Sequence, residues 1–599
     1  MKKIFNILMI ASTAVFAASC DLSEYAVDEF GVASAFGNEG NVEMVIRNFY
    51  DNLPSVTSHY SGDSGSDYIA VTDVGGKYTK VYDANNGDNL SDFNRLRNYN
   101  YFLEKIYSSA CPLDEGTKNN YAGIARWFRA EYYFDKVKGL GDIQWYDHVL
   151  STTDLADQYK DRDSRKVVVG HILEDLDFAY NNISHTSPDK TTVDKWCAMF
   201  LKMRVCLFEA SWQRYQLNNE TEATKYYELA AAAAREIMDS KQFSLNSDYR
   251  QVFTSDALCQ NEVILGAATG ETESDKVRGS QNNYFNYFSG TYHTTIRPFV
   301  NIYLKADGTP YTNTAGFESQ TFDQEFTGRD PRLTQTFRHP QYHFNGSRAE
   351  GAPNFSKDPL GYQVIKWVID RPLDAQGTDE TASLNTNSTP SYRYAEVLLS
   401  YAEAQAELGV AAENWWGETI GAIRKRAGFA DAVANKIPTV NDIDTYLQTN
   451  FYPGITNPVI LEIRREKMIE FAFEGQRKND LKRWNLSDRV VKADWSGMYI
   501  PALDTPLDVN GDGVYDVYFS KSAKPAEHQY KDIWQQVDGE TYNLGVRAQG
   551  TGFVLVFKSN PDNRYWPENG SYRDLAPIHV DLINDYKLRG YTLTQNPGY

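Results

Sequence analysis

Apolar residues recur at helical spacing in two separated blocks of the chain. In the first, Asp92 to Ile106 and Tyr121 to Lys138 predict a helix pair divided by Pro112 and Gly116. Ser164 to Asn181 and Thr192 to Tyr215 predict a second pair, and Thr221 to Met238 adds an alanine-rich helix. In the later block Tyr394 to Leu408 sets Ala395, Leu398, Ala402 and Ala406 on one face. Trp416 to Arg426 follows and stops at Gly428, a C-terminal cap signal, and Ile460 to Phe473 ends before Gly475. Helix pairs with small residues where they cross suggest degenerate tetratricopeptide-like repeats, since no strict 34-residue period is visible.

Between the blocks the texture changes. Residues 240–390 and 487–575 are rich in Gly, Asn, Thr, Tyr and Phe without long apolar periods, which predicts irregular loops and short strands laid over a helical scaffold. Loops are where binding residues concentrate. The first residues read differently again. Lys2 and Lys3 precede a mostly apolar run from Ile4 to Ala18, too short and too polar to span a bilayer. Ala17, Ala18 and Ser19 then lead into Cys20, the arrangement of a lipoprotein signal cleaved before a lipidated cysteine. Residues 21–40 are polar and aperiodic and read as a tether.

Charge removes some partners. A formal net charge of −20 over 599 residues argues against nucleic acid and against anionic membrane surfaces. The 41 Tyr and 11 Trp are more rings than a core needs, and rings with polar edges suit sugar faces and protein interfaces. Beyond Cys20, the cysteines at 111, 197, 206 and 259 lack zinc-ligand spacing and read as small buried hydrophobes.

The sharpest chemical motif runs from Asp508 to Asp516. Asp508, Asn510, Asp512 and Asp516 put oxygens at positions one, three, five and nine of a calcium loop, with the Val514 carbonyl at seven. Phe519 stands where the loop's closing glutamate belongs, so a turn built on Asn510-Gly511 and Asp512-Gly513 is the competing reading. Any calcium here is structural, and no organic cofactor is expected. Gly62-Asp63-Ser64-Gly65 imitates a protease nucleophile turn, but only His59 lies upstream, so it reads as a loop. His339 and His343 flank Pro340 and do not form a zincin helix. The charged run from Arg464 through Glu474 to Trp484 reads as a structural ion-pair cluster.

Several segments together resemble the SusD/RagB family of outer-membrane nutrient-binding lipoproteins. Arg129 to Asp142 is similar to the helix that ends in the family's YGD turn, with Leu140 in place of the tyrosine. Arg329-Asp330-Pro331-Arg332-Leu333 matches an internal family motif, and Arg393-Tyr394-Ala395-Glu396 with Tyr401-Ala402-Glu403 matches its helix. Ile423 to Gly428, Glu474 to Trp484 and the closing Gln595 to Tyr599 follow in family order; Ala576 and His579 depart from it.

The resemblance implies a mostly α fold, with tetratricopeptide-like helix pairs as scaffold and an irregular loop-rich lobe. A signal at 1–19 and a lipidated tether at 20–40 would precede a single domain at 41–599. Its scaffold would occupy about 41–240 and 390–486, its lobe 241–389, and a loop-rich region 487–599. It further implies a non-catalytic protein on the outer face of the outer membrane, held by lipid on Cys20. That protein would capture oligosaccharide as a lid on a SusC-type TonB-dependent transporter. A peptide-binding or structural lid, or a surface glycosidase, are the alternatives. The family's ligand site lies where an N-terminal loop meets the lobe. That pairs Asp67, Tyr68, Asp73, Tyr78 and Tyr82 with Tyr284, Tyr287, Tyr292 and Trp367, and Arg393 opens a helix toward the same face.

Overall fold

The computed structural model describes residues 31–599, apart from 54–58, 60–61, 269–293, 345–347, 350, 369–386, 525, 527–528, 540–542 and 559–563. The signal run, Cys20, Tyr284, Tyr287 and Tyr292 lie outside the described residues.

The first helical block gives α1 (Asn94–Ile106), α2 (Glu115–Leu140), α3 (Arg165–Asn182), α4 (Lys195–Ser211) and α5 (Glu220–Asp239). Helix α2 starts ahead of its apolar pattern because Asp114 accepts the Thr117 N–H at 3.1 Å and satisfies an otherwise orphan amide. Helix α4 runs on into a π turn over Trp212–Gln216. Ala230, Ala233 and Ala234 are buried on α5, which packs on α4. After the short lobe helix α6 (Arg297–Asn301), the later block supplies α7 (Tyr394–Glu407), α8 (Ile420–Ala427), α9 (Thr445–Asn450), α10 (Pro458–Glu470) and α11 (Arg477–Arg483). Gly428 ends α8 in the left-handed conformation, φ +106°, as the sequence indicates. The packing of α2 on α3, α4 on α5 and α7 on α10 is the predicted mostly helical scaffold. The packed chain begins inside the expected tether, for Phe36 is already buried in the scaffold core.

Strands knit the lobe. β1 (Ile69–Ala70) pairs antiparallel with β3 (Thr294–Thr295), and β2 (Val263–Ala267) with β4 (Thr389–Arg393). The 487–599 region is more ordered than its composition suggests. β5 (Ser496–Ile500), β9 (Leu544–Gln549) and β10 (Gly552–Phe557) form one three-stranded sheet, with β10 central. β6 (Pro506–Leu507), β7 (Val517–Ser520) and β8 (Trp534–Gln536) form another.

Two large hydrophobic cores result among the described residues. One fills the helical scaffold around Phe102, Trp127, Phe128 and Phe200, and Ile578, Tyr586 and Leu593 return to it. The other fills the lobe around Phe299, Phe337, Trp367 and Phe473. Buried ion pairs join them. Arg393 donates to Glu470 Oε1 at 2.7 Å, to both Glu474 oxygens at 2.7 and 2.8 Å, and to Glu262 at 3.1 Å. Arg332 reaches Asp330 at 2.8 Å, Glu466 at 2.5 Å and Glu470 at 3.2 Å, while Arg426 also pairs with Glu470. Burial alone would raise the Glu470 carboxyl; Arg426, Arg393 and Arg332 outweigh it and hold the group well below the carboxylate range. The charged run near residue 470 is therefore a structural cluster, as expected.

Two lobe carboxyls go the other way. Asp358 accepts the Thr294 hydroxyl next to β3, and burial pushes it up to about 7. Burial likewise pushes Asp63 up to about 6, against hydrogen bonds from Tyr68, Gly475 and Arg477 that pull it down. In both, the folded state holds the proton more tightly than the unfolded chain. The stabilisation is full below about pH 4 and is lost as pH rises through the folded values. Asp358→Asn keeps the site neutral. Calorimetry is expected to find its melting temperature above the parent's at pH 8, with the gap closing as pH falls toward 4.

Candidate functional site

The N-terminal segment 62–82 does meet the lobe, and it does so through its backbone. Ile69 pairs with Thr295 and Ala70 with Thr294, while the Tyr68 carbonyl accepts the Ile296 N–H at 3.1 Å. The segment is pinned from below by α11. Asp63 accepts the Gly475 and Arg477 N–H groups at 2.9 Å each, and Asp67 takes a two-pronged grip from Arg477 at 2.8 and 2.7 Å. Gly62 and Gly475 stand back to back: a Cβ on Gly62 would lie 2.7 Å from the Gly475 Cα.

That anchoring corrects part of the sequence-based site. Tyr68 is buried, stacked on Phe299 at 4.6 Å, with its hydroxyl on Asp63 at 2.8 Å. Asp67 is buried on Arg477. Trp367 is fully buried, edge-on to Phe253 at 4.8 Å, and donates to the Phe473 carbonyl at 3.2 Å. Arg393 is buried in the ion cluster with its guanidinium committed to Glu262, Glu470 and Glu474. These four side chains hold the fold and offer no surface to a ligand. The sequence marked them correctly as rings and charges, but burial depends on partners hundreds of residues away.

Beyond β1 the chain turns outward. Asp73 is exposed and its carboxylate accepts the Gly75 N–H at 2.8 Å. Gly75 and Gly76 follow with φ of +61° and +48°, a turn that side-chain-bearing residues rarely take. The chain then runs against residues 564–574. Tyr78 and Trp566 lie 5.6 Å apart, tilted by 33°, and the Tyr565 N–H donates to the Tyr78 carbonyl at 2.7 Å. Lys77 pairs with buried Asp574 at 2.6 Å, its ammonium 5.1 Å from the Tyr78 ring and 5.5 Å from Trp566. Arg573 donates to the Lys77 and Thr79 carbonyls at 2.8 and 2.7 Å, with its guanidinium 5.7 Å from Tyr82 and 5.5 Å from Tyr565. Tyr82 in turn meets Tyr599 edge-on at 6.0 Å.

The outcome is a solvent-facing terrace of rings set over fixed cations. Tyr78 is buried at its base, Tyr82 and Trp566 are half-buried, and Tyr565 and Val81 are exposed by 37% and 81%. Flat rings beside immobilised donors can stack on the C–H face of a sugar or on another planar group. Of the sequence-predicted residues, Asp73, Tyr78 and Tyr82 are at or beside this terrace. Lys77, Tyr565, Trp566 and Arg573 were missed; the ring pair Tyr565-Trp566 in a polar stretch was the available signal.

The Asp508–Asp516 turn links β6 to β7. Asp508 accepts N–H bonds from Gly511, Asp512 and Gly513 at 2.8, 3.2 and 2.8 Å, and Asp516 accepts one from Val509 at 2.7 Å. Burial, then the charges of Asp512 and Asp508, push Asp516 up to about 6. Among the described residues no group of three or more His, Cys, Asp or Glu is placed to hold a metal ion. Calcium at Asp508, Asn510, Asp512, Asp516 and the Val514 carbonyl thus rests on spacing, not on an assembled cage. Cys111, Cys197, Cys206 and Cys259 are free thiols, the first three buried.

A comparison with curated protein sequences finds no match. Solved structures match along almost the whole chain. A SusD-like protein of Bacteroides fragilis is 20% identical with a TM-score of 0.61, over 94% of this chain and 98% of that one. A SusD-like carbohydrate binding protein of the same species is 18% identical with a TM-score of 0.59, over 92% and 99%. The surface glycan-binding protein A of Bacteroides fluxus is 18% identical with a TM-score of 0.54, over 94% and 100%. At these identities the likeness is one of fold. The sequence model of the SusD family, however, matches residues 261–599. From the RDPRL helix start through the ion-paired α10 to the C-terminal sheets, this chain belongs to the SusD family.

Proposed function

We propose that this protein is a non-catalytic surface lipoprotein that captures oligosaccharide and serves as a lid for a SusC-type TonB-dependent outer-membrane transporter. The terrace of Tyr82, Tyr565 and Trp566 over Lys77 and Arg573 carries the ligand half of this reading. Rings fixed beside cations, partly exposed, bind a sugar's apolar face while leaving its hydroxyls in contact with water and donors. Two relatives of the same fold are described as binding carbohydrate and glycan, respectively. Membrane attachment is assigned to lipid on Cys20. No helix among the described residues is long and apolar enough to cross a membrane.

Tyr82→Ala and Tyr565→Ala are each expected to weaken binding of the cognate oligosaccharide by about 1–3 kcal/mol, on the scale of ring stacking. Their melting temperatures should stay near the parent's. Isothermal titration that finds both variants binding like the parent removes the site from the terrace, and no affinity for any glycan favours a peptide-binding or structural lid.

Cys20→Ala protein should lose incorporation of labelled lipid and wash from cells that retain the parent. The parent should also co-purify with a TonB-dependent transporter after gentle detergent extraction, and repeated recovery as a free monomer would defeat the lid role.

For the Asp508–Asp516 turn we propose calcium as the ion. Chelation should then lower the melting temperature slightly, since the site is local, with recovery on adding calcium. An unchanged melting curve leaves a turn closed by its own hydrogen bonds.

A further inference from the structure

A second concavity opens elsewhere on the lobe, in a cleft of about 540 Å³ between α6, α9 and the β9–β10–β5 sheet. None of its lining residues belongs to the ring terrace. Its volume falls within the roughly 300–1,000 Å³ span of small-molecule sites. Arg297 and Asn301 of α6 line it, both 4% exposed. Each carries one polar atom, Arg297 Nε and Asn301 Oδ1, that is buried and has no hydrogen-bond partner among the described residues. Both atoms sit beneath the cleft surface, so a ligand is met by the groups that stay exposed along it.

The rest of the lining says which ligand. Most of the charges are already paired: Arg297 pairs with Glu325 and hydrogen-bonds the Glu318 carbonyl at 2.7 Å, and Arg547 holds Asp494 at 2.9 Å. An anionic ligand would have to break one of these pairs and approach the exposed Glu318 carboxylate, which lines the same cleft. Asn301 Nδ2 donates to the Tyr446 hydroxyl at 3.1 Å, fixing both groups. Half-buried Phe317 stands edge-on to Tyr446 at 5.9 Å and supplies an apolar wall. Asn313, Asn450 and Gln549 add carboxamides, each a donor and an acceptor. Two rings among paired charges and amides fit a neutral molecule that is hydroxylated on its edges and apolar on its faces.

We infer that this cleft is a second carbohydrate subsite, sized for one or two neutral sugar rings and separate from the terrace. It rests on the glycan-binding reading of the protein. The test is hydrogen exchange and titration calorimetry on the purified full chain. The probes are a panel of neutral di- to tetrasaccharides of gluco, manno, galacto, xylo and arabino configuration. At least one member is expected to protect amides in 297–301, 312–318 and 445–450. That protection should survive Tyr82→Ala and Tyr565→Ala. Arg547→Ala and Asn313→Ala, both at exposed rim positions, should weaken it about threefold to tenfold. Binding that protects only the terrace and is untouched by the rim variants overturns the subsite and leaves the glycan reading standing. A panel that binds nowhere on the parent overturns both.

Discussion

Glu470 is the point on which the two halves of this molecule depend. A carboxylate taken out of water is costly unless every oxygen is met by a positive partner, and here Arg332, Arg393 and Arg426 converge on it from three separate segments. One follows the lobe turn at Asp330, one ends β4, and one lies in the last turn of α8. None of the charges is tolerable alone in this interior, so each segment is fixed by the others. The cluster specifies where the lobe sits on the helical scaffold more than it adds net stability, since hydrophobic packing could replace it at similar or lower energetic cost. Glu474 extends the same logic to Lys366, and Arg477 extends it to Asp67. Through Asp67 and Asp63 the N-terminal segment is held in the position from which it can turn outward.

The longer helices were legible in the sequence because each carries at least one local signal: apolar spacing, a capping side chain or a glycine stop. Gly428 and Gly475, read as stops, both take positive φ. The later region was less legible. The run from Gly552 to Phe557 is a short apolar stretch that periodicity cannot assign, and it became the central strand of a sheet only because β5 and β9 flank it. The site was half legible. That the N-terminal segment meets the lobe came from family resemblance, and β1–β3 pairing supports it. Which rings face water did not follow, because Tyr68 and Tyr82 lie in one segment and nothing local separates them. Tyr68 is turned inward by Phe299 and Phe473, partners no local pattern discloses.

The ring terrace also separates two roles that aromatic residues share in this family member. Tyr68, Phe299, Phe337 and Phe473 form a tight inward set that supports the segment. Tyr82, Tyr565 and Trp566 form the outward set, steadied by cations that are themselves tied to backbone carbonyls or to Asp574. The inner rings set the height of the platform and the outer rings its texture. Variation in the outer set changes the surface without disturbing the support.

The Lys77–Asp574 pair has a consequence for how the molecule comes into being. Its partners are 497 positions apart, and the rings beside it are drawn from the same two distant stretches. Closing so long a loop costs chain entropy before any contact repays it, so such contacts are intrinsically late in folding. The helices of the scaffold can form as soon as their residues are available; the terrace must wait for residues 564–599. The terrace is therefore a late product of folding, and a chain without residues 564–599 would lose both the terrace and the Ile578, Tyr586 and Leu593 packing that completes the scaffold core.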